Sequence, residues 1–406
     1  MRRTKILILA VLLAAAAIPS TALATGFGLY EQGTQATGMN GAVIAGASDS
    51  STLFYNPAGM TQLSGVDIQL TMTGYIGIAG FTGDASGKTT DATAKFQPVP
   101  ALFVSWKATP WLAVGIGEFT NNGLGIFWPQ GWENRVHCIS SDLKSFTINP
   151  SIAFGPFKGF SVGVGFDVVL GTVVMKKGLE FADGSDKWML ELGGDAVGYG
   201  WNLGLLYKPI DWFSVGAVYR SQIRVNTYKA HVDFTVPTAF QNEMQDQAVN
   251  TGLWLPDQFG IGVRFTPIKG LDIELDYDYY TWNLYNKVII NFEKTPSLNQ
   301  TLVNDWRGAF DLRLGASYRY KDWKFAVGLG YDDTPVTSLH MSPTLPDNNR
   351  INWSVGVSYY FWKMHVDLAY LMVNVLPRSA EGSHDSVNGK YTTMVNDISL
   401  GVGFNF

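Results

Sequence analysis

The sequence predicts an all-β fold: a transmembrane antiparallel β-barrel of about 14 strands with an amino-terminal hatch (plug) segment in its lumen. Three observations point there. Stretch after stretch alternates apolar with polar or small residues, the connections alternate between short and long, and tyrosines and tryptophans recur at stretch ends. The composition agrees, since 406 residues hold 44 Gly, 14% aromatics and 16% charged residues, where a soluble domain averages about 25% charged. Low charge with many aromatics argues against disorder. A single cysteine, Cys138, excludes a disulfide scaffold and a Cys-rich zinc site. With Lys+Arg at 29 against Asp+Glu at 34, there is no basic excess to hold nucleic acid.

Residues 1–24 read as a signal peptide. Arg2, Arg3 and Lys5 form a positive start, Ile6 to Ile18 is an apolar run shorter than the about 20 residues of a spanning helix, and Ala22-Leu23-Ala24 offers a small-x-small cleavage site. Residues 25–65 carry no strand alternation and many small residues, and they read as the hatch. Their scattered apolar residues (Phe27, Leu29, Val43, Ile44, Leu53, Phe54, Tyr55) favour packing over disorder. Asn56 and Pro57 mark a helix start, as N-cap and first helical residue.

Residues 66–406 read as the barrel. Strands are expected near 66–79, 96–107, 111–121, 143–155, 160–175, 195–208, 212–226, 253–266, 271–283, 306–320, 322–332, 350–361, 364–375 and 392–406. In the last of these, Ile398, Leu400, Val402, Phe404 and Phe406 fall on one face and Asp397, Ser399, Gly401, Gly403 and Asn405 on the other. Between 271 and 280, Leu271, Ile273, Leu275, Tyr277 and Tyr279 oppose Asp272, Glu274, Asp276 and Asp278. One face is suited to lipid and the other to a polar lumen. Short turns such as Lys321-Asp322 and Trp362-Lys363 alternate with long loops, and closure removes the edges that lipid cannot solvate. A soluble β-sandwich also alternates faces, but its strands run to about 5 or 6 residues and its loops show no such rhythm. Trp111, Trp201, Tyr207, Trp212, Trp323, Trp353 and Tyr359 suit two interfacial belts, and inward glycines would leave lumen space.

The Gly-rich start, Ser50 through Tyr55-Asn56-Pro57-Ala58-Gly59-Met60, the strand number and the terminal Phe406 together resemble the FadL family of long-chain fatty-acid and hydrocarbon channels. Leu255-Pro256-Asp257, Tyr280-Thr281-Trp282, Arg313-Leu314-Gly315 and Tyr331-Asp332-Asp333-Thr334-Pro335-Val336 look similar too, so the resemblance spans the mature chain. It implies an outer-membrane location in a Gram-negative-type bacterium and passive uptake of hydrophobic molecules, chiefly long-chain fatty acids. Capture in outer loops, an interior pocket and lateral exit into outer-membrane lipid through a wall kink would follow. Carried over, Thr25, Gly26 and Phe27 would sit at the pocket, Asn56, Pro57 and Ala58 in the hatch, and Asn121-Asn122-Gly123 at the kink. Phe406 would be the signal that the barrel assembly machinery reads. No cofactor and no metal is expected.

Asn-Asn-Gly is a physically reasonable kink, because it follows Ile116-Gly117-Glu118-Phe119 and breaks strand pairing; the same residues could simply begin a surface loop. A carboxylate ligand needs a cation, for which Arg220, Arg264, Arg313 and Arg319 face inward; cross-strand pairing with inward acids, such as Arg264 with Glu274, is the competing use. If all are paired, neutral aromatic or aliphatic hydrocarbons become the better candidates. A general porin or structural barrel would gain nothing from a hatch. An enzyme is not expected: His365 with Asp367 on one face is too little, and His137, His231, His340 and His384 lie in or beside long loops without metal spacing. Cys138 reads as a bystander thiol in a long loop, where Trp128, Pro129 and Trp132 could line a capture groove.

Overall fold

A computed structural model describes residues 26–380 and 387–406. The expected signal peptide, Thr25 and His384 lie outside the described residues. The chain forms a closed antiparallel barrel of 14 strands: β1 (Val66–Gly83), β2 (Phe96–Thr109), β3 (Leu112–Phe119 continued by Gly123–Phe127), β4 (Ser140–Phe157), β5 (Phe160–Gly178), β6 (Met189–Ile210), β7 (Phe213–Arg220 continued by Ile223–Thr235), β8 (Gly252–Leu255 continued by Gln258–Ile268), β9 (Leu271–Tyr280), β10 (Ala309–Tyr320), β11 (Trp323–Asp332), β12 (Arg350–Phe361), β13 (Met364–Ala380) and β14 (Gly389–Asn405).

Neighbours in sequence are neighbours in the wall, and β1 closes on β14 from Asp67 opposite Asn405 to Gly83 opposite Gly389. The seam is finished by Phe406, whose carbonyl accepts from the Val66 amide at 3.1 Å and whose amide donates back at 2.9 Å. At this seam no strand edge is left for lipid, which could not satisfy it. The alternation read from the sequence is the alternation of faces. On β1, Leu70 is 54% exposed while Gln69 is fully buried, and on β14 Leu400 is 57% exposed beside a buried Ser399. Trp111, Trp201, Trp212 and Trp323 are exposed on the outer surface, as interfacial belts require.

Several strands run further into the loops than their hydrophobic pattern, notably β6 and β13, because hydrogen bonding continues where the lipid ends. Two are shorter: β9 stops at Tyr280, where Trp282–Leu284 turns into a 3-10 helix, and β10 starts only at Ala309. The loops hold short strands of their own (Thr89–Asp91, Gln247–Asn250, Lys287–Phe292, Gln300–Val303) that the sequence reading left as irregular.

The amino-terminal segment is almost wholly buried and packs on the inward faces of the strands. It contains helices α1 (Thr34–Gly38) and α2 (Thr52–Tyr55) and a 3-10 helix at Pro57–Gln62. Asn56 caps the last as expected, its Oδ1 accepting from the Ala58 amide at 3.1 Å with Pro57 at the first helical position. Asn56 Nδ2 also donates to Ile44 O at 2.8 Å and to Leu205 O of β6 at 3.0 Å. Wall carboxylates grip the segment's backbone: the Ile44 amide donates to Asp276 at 2.9 Å and the Ala45 amide to Glu274. Tyr30, Phe54, Tyr55 and Phe119 stack edge to face, with Leu53, Met60 and Phe103 around them. Inward glycines divide: Gly77 and Gly171, on the linings of cavities, leave open lumen as expected, whereas others are filled. A Cβ on Gly216 would lie 2.2 Å from Ile44 O, and one on Gly163 2.5 Å from the Ala58 amide, so the missing side chains admit the segment's backbone.

Candidate ligand path

The wall breaks at β3. Its first half pairs with β2 up to Leu102 opposite Glu118, and also with β4. Its second half, Gly123–Phe127, pairs with β4 but not with β2. Over Phe96–Ala101, β2 keeps its ladder to β1 and offers nothing to β3. The sequence carries a reason: Pro98 and Pro100 alternate along β2 and lack the N–H that a ladder needs. Since the β1 ladder survives there, the edge without donors faces the break. Higher up, the Thr93 amide donates to Phe127 O at 2.7 Å and closes the gap from above. The result is a window between β2 and β3.

From within, the amino-terminal segment takes the missing strand's place. Gly28 forms a β-bridge with Asn122, the Leu29 amide donates to Asn121 O at 2.8 Å, and the Gly123 amide donates to Phe27 O at 3.0 Å. Ser145 Oγ adds a 2.6 Å bond to Asn122 O. The backbone groups of Asn121, Asn122 and Gly123 that the break exposes thereby find partners. Asn121, Asn122 and Gly123 stand at the discontinuity, in contact with residues 27–29.

Two cavities meet at Phe27. A cavity of about 440 Å³ fills the window, lined by residues 26–29 inside, by Pro98, Pro100 and Gly125 at the frame, and by Ile78 and Phe146, both exposed on the membrane face. A second, of about 160 Å³, lies deeper in the barrel and is bounded by Leu124, Leu143, Val169 and Leu192 of the wall and by Tyr285, Trp306 and Leu345 of the loops. Among the described residues no Asp, Glu, Lys or Arg lines this inner cavity, and His340 is its one basic side chain. Phe27, Leu124, Leu143, Ser145 and Leu345 border both spaces. The Phe27 ring packs on Trp282 at 4.7 Å, Tyr285 at 5.5 Å and Trp306 at 5.8 Å. Gly26 is held at its carbonyl by Arg350 Nη2 at 2.6 Å and at its amide by Asp347 at 3.3 Å.

The four arginines read as carboxylate partners are elsewhere, and none borders the inner cavity. Arg220 pairs with Asp167 at 2.7 Å and donates to Phe54 O. Arg264 pairs with Asp272 at 2.6 Å, and Glu274, the partner expected across the turn, stands at 3.8 Å because it is bound to the Ala45 amide. Arg313 lies among Asp311 at 2.5 Å, Asp278 at 3.2 Å and Asp332 at 3.8 Å, beneath the Tyr30 ring. Arg319 is exposed near a short turn and stacks on Tyr360 at 3.9 Å. Cationic side chains at the window cavity are Lys95, Lys144 and Arg350, which the sequence reading passed over. Lys144 pairs with Asp142 at 3.0 Å and Arg350 with Asp347 at 3.1 Å.

Trp128 and Trp132 do not line an open groove. They stack at 4.4 Å, both buried inside the loop that carries them. Burial pushes the thiol of Cys138 there up to about 12. His365 faces the lumen as expected, bonded to Asp367 at 2.9 Å and to Gln35 at 3.2 Å.

Comparison with known proteins places the fold in a family. Residues 15–406 fit the family described as outer membrane protein transport protein (OMPP1/FadL/TodX). The long-chain fatty acid transport protein of Escherichia coli O6:H1 is 24% identical over 402 residues, 87% of each chain. The putative outer membrane protein NMB0088 of Neisseria meningitidis serogroup B is 23% identical over 90% of each. Among solved structures, a Pseudomonas aeruginosa FadL homologue superposes with TM-score 0.84 at 17% identity, covering 94% of this chain and 100% of that one. The toluene transporter TodX of P. putida superposes with TM-score 0.76 at 16% identity, covering 93% and 99%. With nearly its whole length matched by the family model, the chain belongs to the FadL/TodX family of outer-membrane transport proteins.

Proposed function

We propose that the protein takes up hydrophobic molecules passively, passing them from the outer loops to the inner apolar cavity, past Phe27 into the window, and sideways into the bilayer. The observation that carries this reading is the unpaired stretch between β2 and β3, with a cavity that reaches from the amino-terminal segment to lipid-facing Ile78 and Phe146. The route makes thermodynamic sense. Each CH₂ kept out of water is worth about 0.8 kcal/mol, so a path that ends in lipid avoids the cost of a water-filled pore. Residues 25–65 act as the hatch, with Asn56, Pro57 and Ala58 fixing its base and Gly26 and Phe27 forming the movable end at the pocket.

The inner cavity favours a neutral hydrophobic molecule, because a carboxylate buried there would meet no Lys or Arg among the described residues, His340 being the one basic side chain on its lining, and would forfeit its hydration. Long-chain fatty acids are the second reading. They are favoured by Lys95, whose ammonium stands 3.5 Å from the Phe127 ring centroid at the window cavity, and by the relatives named for fatty-acid transport.

Deleting Asn121 to Gly123 while the barrel stays heat-modifiable on gels should reduce uptake of radiolabelled hydrocarbon by whole cells to the level of cells without the protein. Gly125→Trp, which fills the frame opposite Gln97, should block uptake yet preserve binding in detergent. Undiminished uptake in both variants would sink the lateral route.

A further inference from the structure

A small cavity of about 60 Å³ adjoins the apolar one, with Asn122 and Leu255 lining both, and it shares Gly28 and Leu29 with the window cavity. It has room for ordered water or for one hydroxyl with the carbon that bears it. The two cavities differ in chemistry. The indole of Trp282, 1% exposed, borders the small one, and its Nε1–H has no partner among the described residues. Asp311, fully buried on the same lining, accepts from Arg313 Nη2 at Oδ2 (2.5 Å) and leaves Oδ1 without a partner among the described residues. Asn121 Oδ1, also on the lining, is unpartnered too. The one cation there, Arg220, is committed to Asp167 and to Phe54 O.

Trp282 Nε1–H as a donor, two free acceptors and the unpartnered hydroxyl of Tyr30 therefore belong to the lining of a space contiguous with an apolar pocket. A purely apolar group placed there would leave these groups desolvated and unpaired. A carboxylate would face Asp311 with no free cation. A hydroxyl suits both sides of the site, since its oxygen accepts from Trp282 Nε1 while its hydrogen is donated to Asp311 Oδ1 or Asn121 Oδ1.

We propose that the inner cavity and this polar notch together form a binding site for a hydrophobic molecule ending in one neutral hydroxyl, an aliphatic alcohol or a phenol, with its apolar body in the larger space. The assignment rests on the uptake reading above and narrows its ligand.

The test uses the full chain in detergent, with displacement of bound 1-aminoanthracene by octane, 1-octanol, 1-methoxyoctane and octanoate. 1-Octanol should bind roughly three- to tenfold more tightly than 1-methoxyoctane, which can accept from Trp282 but has no hydrogen for Asp311. It should also bind more tightly than octanoate at pH 8. Trp282→Phe should weaken 1-octanol by a similar factor and leave octane within about twofold. Equal affinity for alcohol and ether in the unaltered protein, or an equal loss of octanol and octane in the variant, would overturn the site and leave a notch for water alone. If octane binds and the hydroxyl adds nothing, only this assignment fails; if no probe binds, the uptake reading fails with it.

Discussion

Two stretches of the same wall behave oppositely. From β9 to β12 every strand meets the next in unbroken register, and the lumen side is filled by Arg313 among Asp278, Asp311 and Asp332. From β2 to β4 the ladder parts at Ala101 and Phe119, and the lumen side is apolar space bordered by Phe27. The lesson concerns backbone donors. A barrel stays closed where every residue can donate and opens where prolines withdraw donors, provided something else satisfies the carbonyls and amides left behind. Here residues 27–29 do so from inside. The closed side anchors the amino-terminal segment and the open side holds its end by two backbone hydrogen bonds, as the proposed releasable stop requires.

The comparison can be broken in graded ways. The largest effect is expected from mending the open side. Pro98→Val with Pro100→Val, combined with loss of Asn121 to Gly123, should restore the β2–β3 ladder, abolish uptake and raise the unfolding midpoint in urea; a lower midpoint would show that the break is not a donor defect. Next comes the closed side. Arg313→Leu strands three buried carboxylates and should cost about 3–5 kcal/mol of stability, read from urea titration in lipid vesicles. A loss under about 1 kcal/mol would mean that the cluster carries little. Gly216→Val drives a side chain into Ile44 O and should cost about 1–3 kcal/mol while loosening the segment, measured by faster trypsin cleavage at Lys107 and by the same titration. Smaller still is Lys176→Ala, which removes a half-exposed pair with Glu191 at 2.7 Å; it should change stability by less than about 1 kcal/mol. Cys138 should resist maleimide at pH 8, its thiol being buried and protonated there, and rapid labelling in the folded protein would contradict the packing of its loop.

The barrel was legible because lipid outside and a polar lumen inside impose a period of two on every strand. Asn56 and Pro57 were legible as well, since a cap and a first-turn proline act through their own backbone. The arginines were legible only as inward charges. Whether each was free depended on its neighbours across the wall, and Asp167, which takes Arg220, lies 53 residues away in the chain. Trp128 and Trp132 read as open aromatics because nothing local tells a loop with its own core from one without. Pro98 and Pro100 were a signal passed over, as their meaning depends on which edge of β2 loses its donors.

By itself, then, the sequence determined the alternation of faces, the number of crossings and the rhythm of turns and loops, all of which follow from solvent on either side of a strand. The tertiary structure decided where the wall parts, what fills the inward glycines and which polar groups stay unpaired. Those depend on packing one segment of the chain against strands hundreds of residues away, where close approach and hydrogen-bond geometry, not local pattern, choose the outcome.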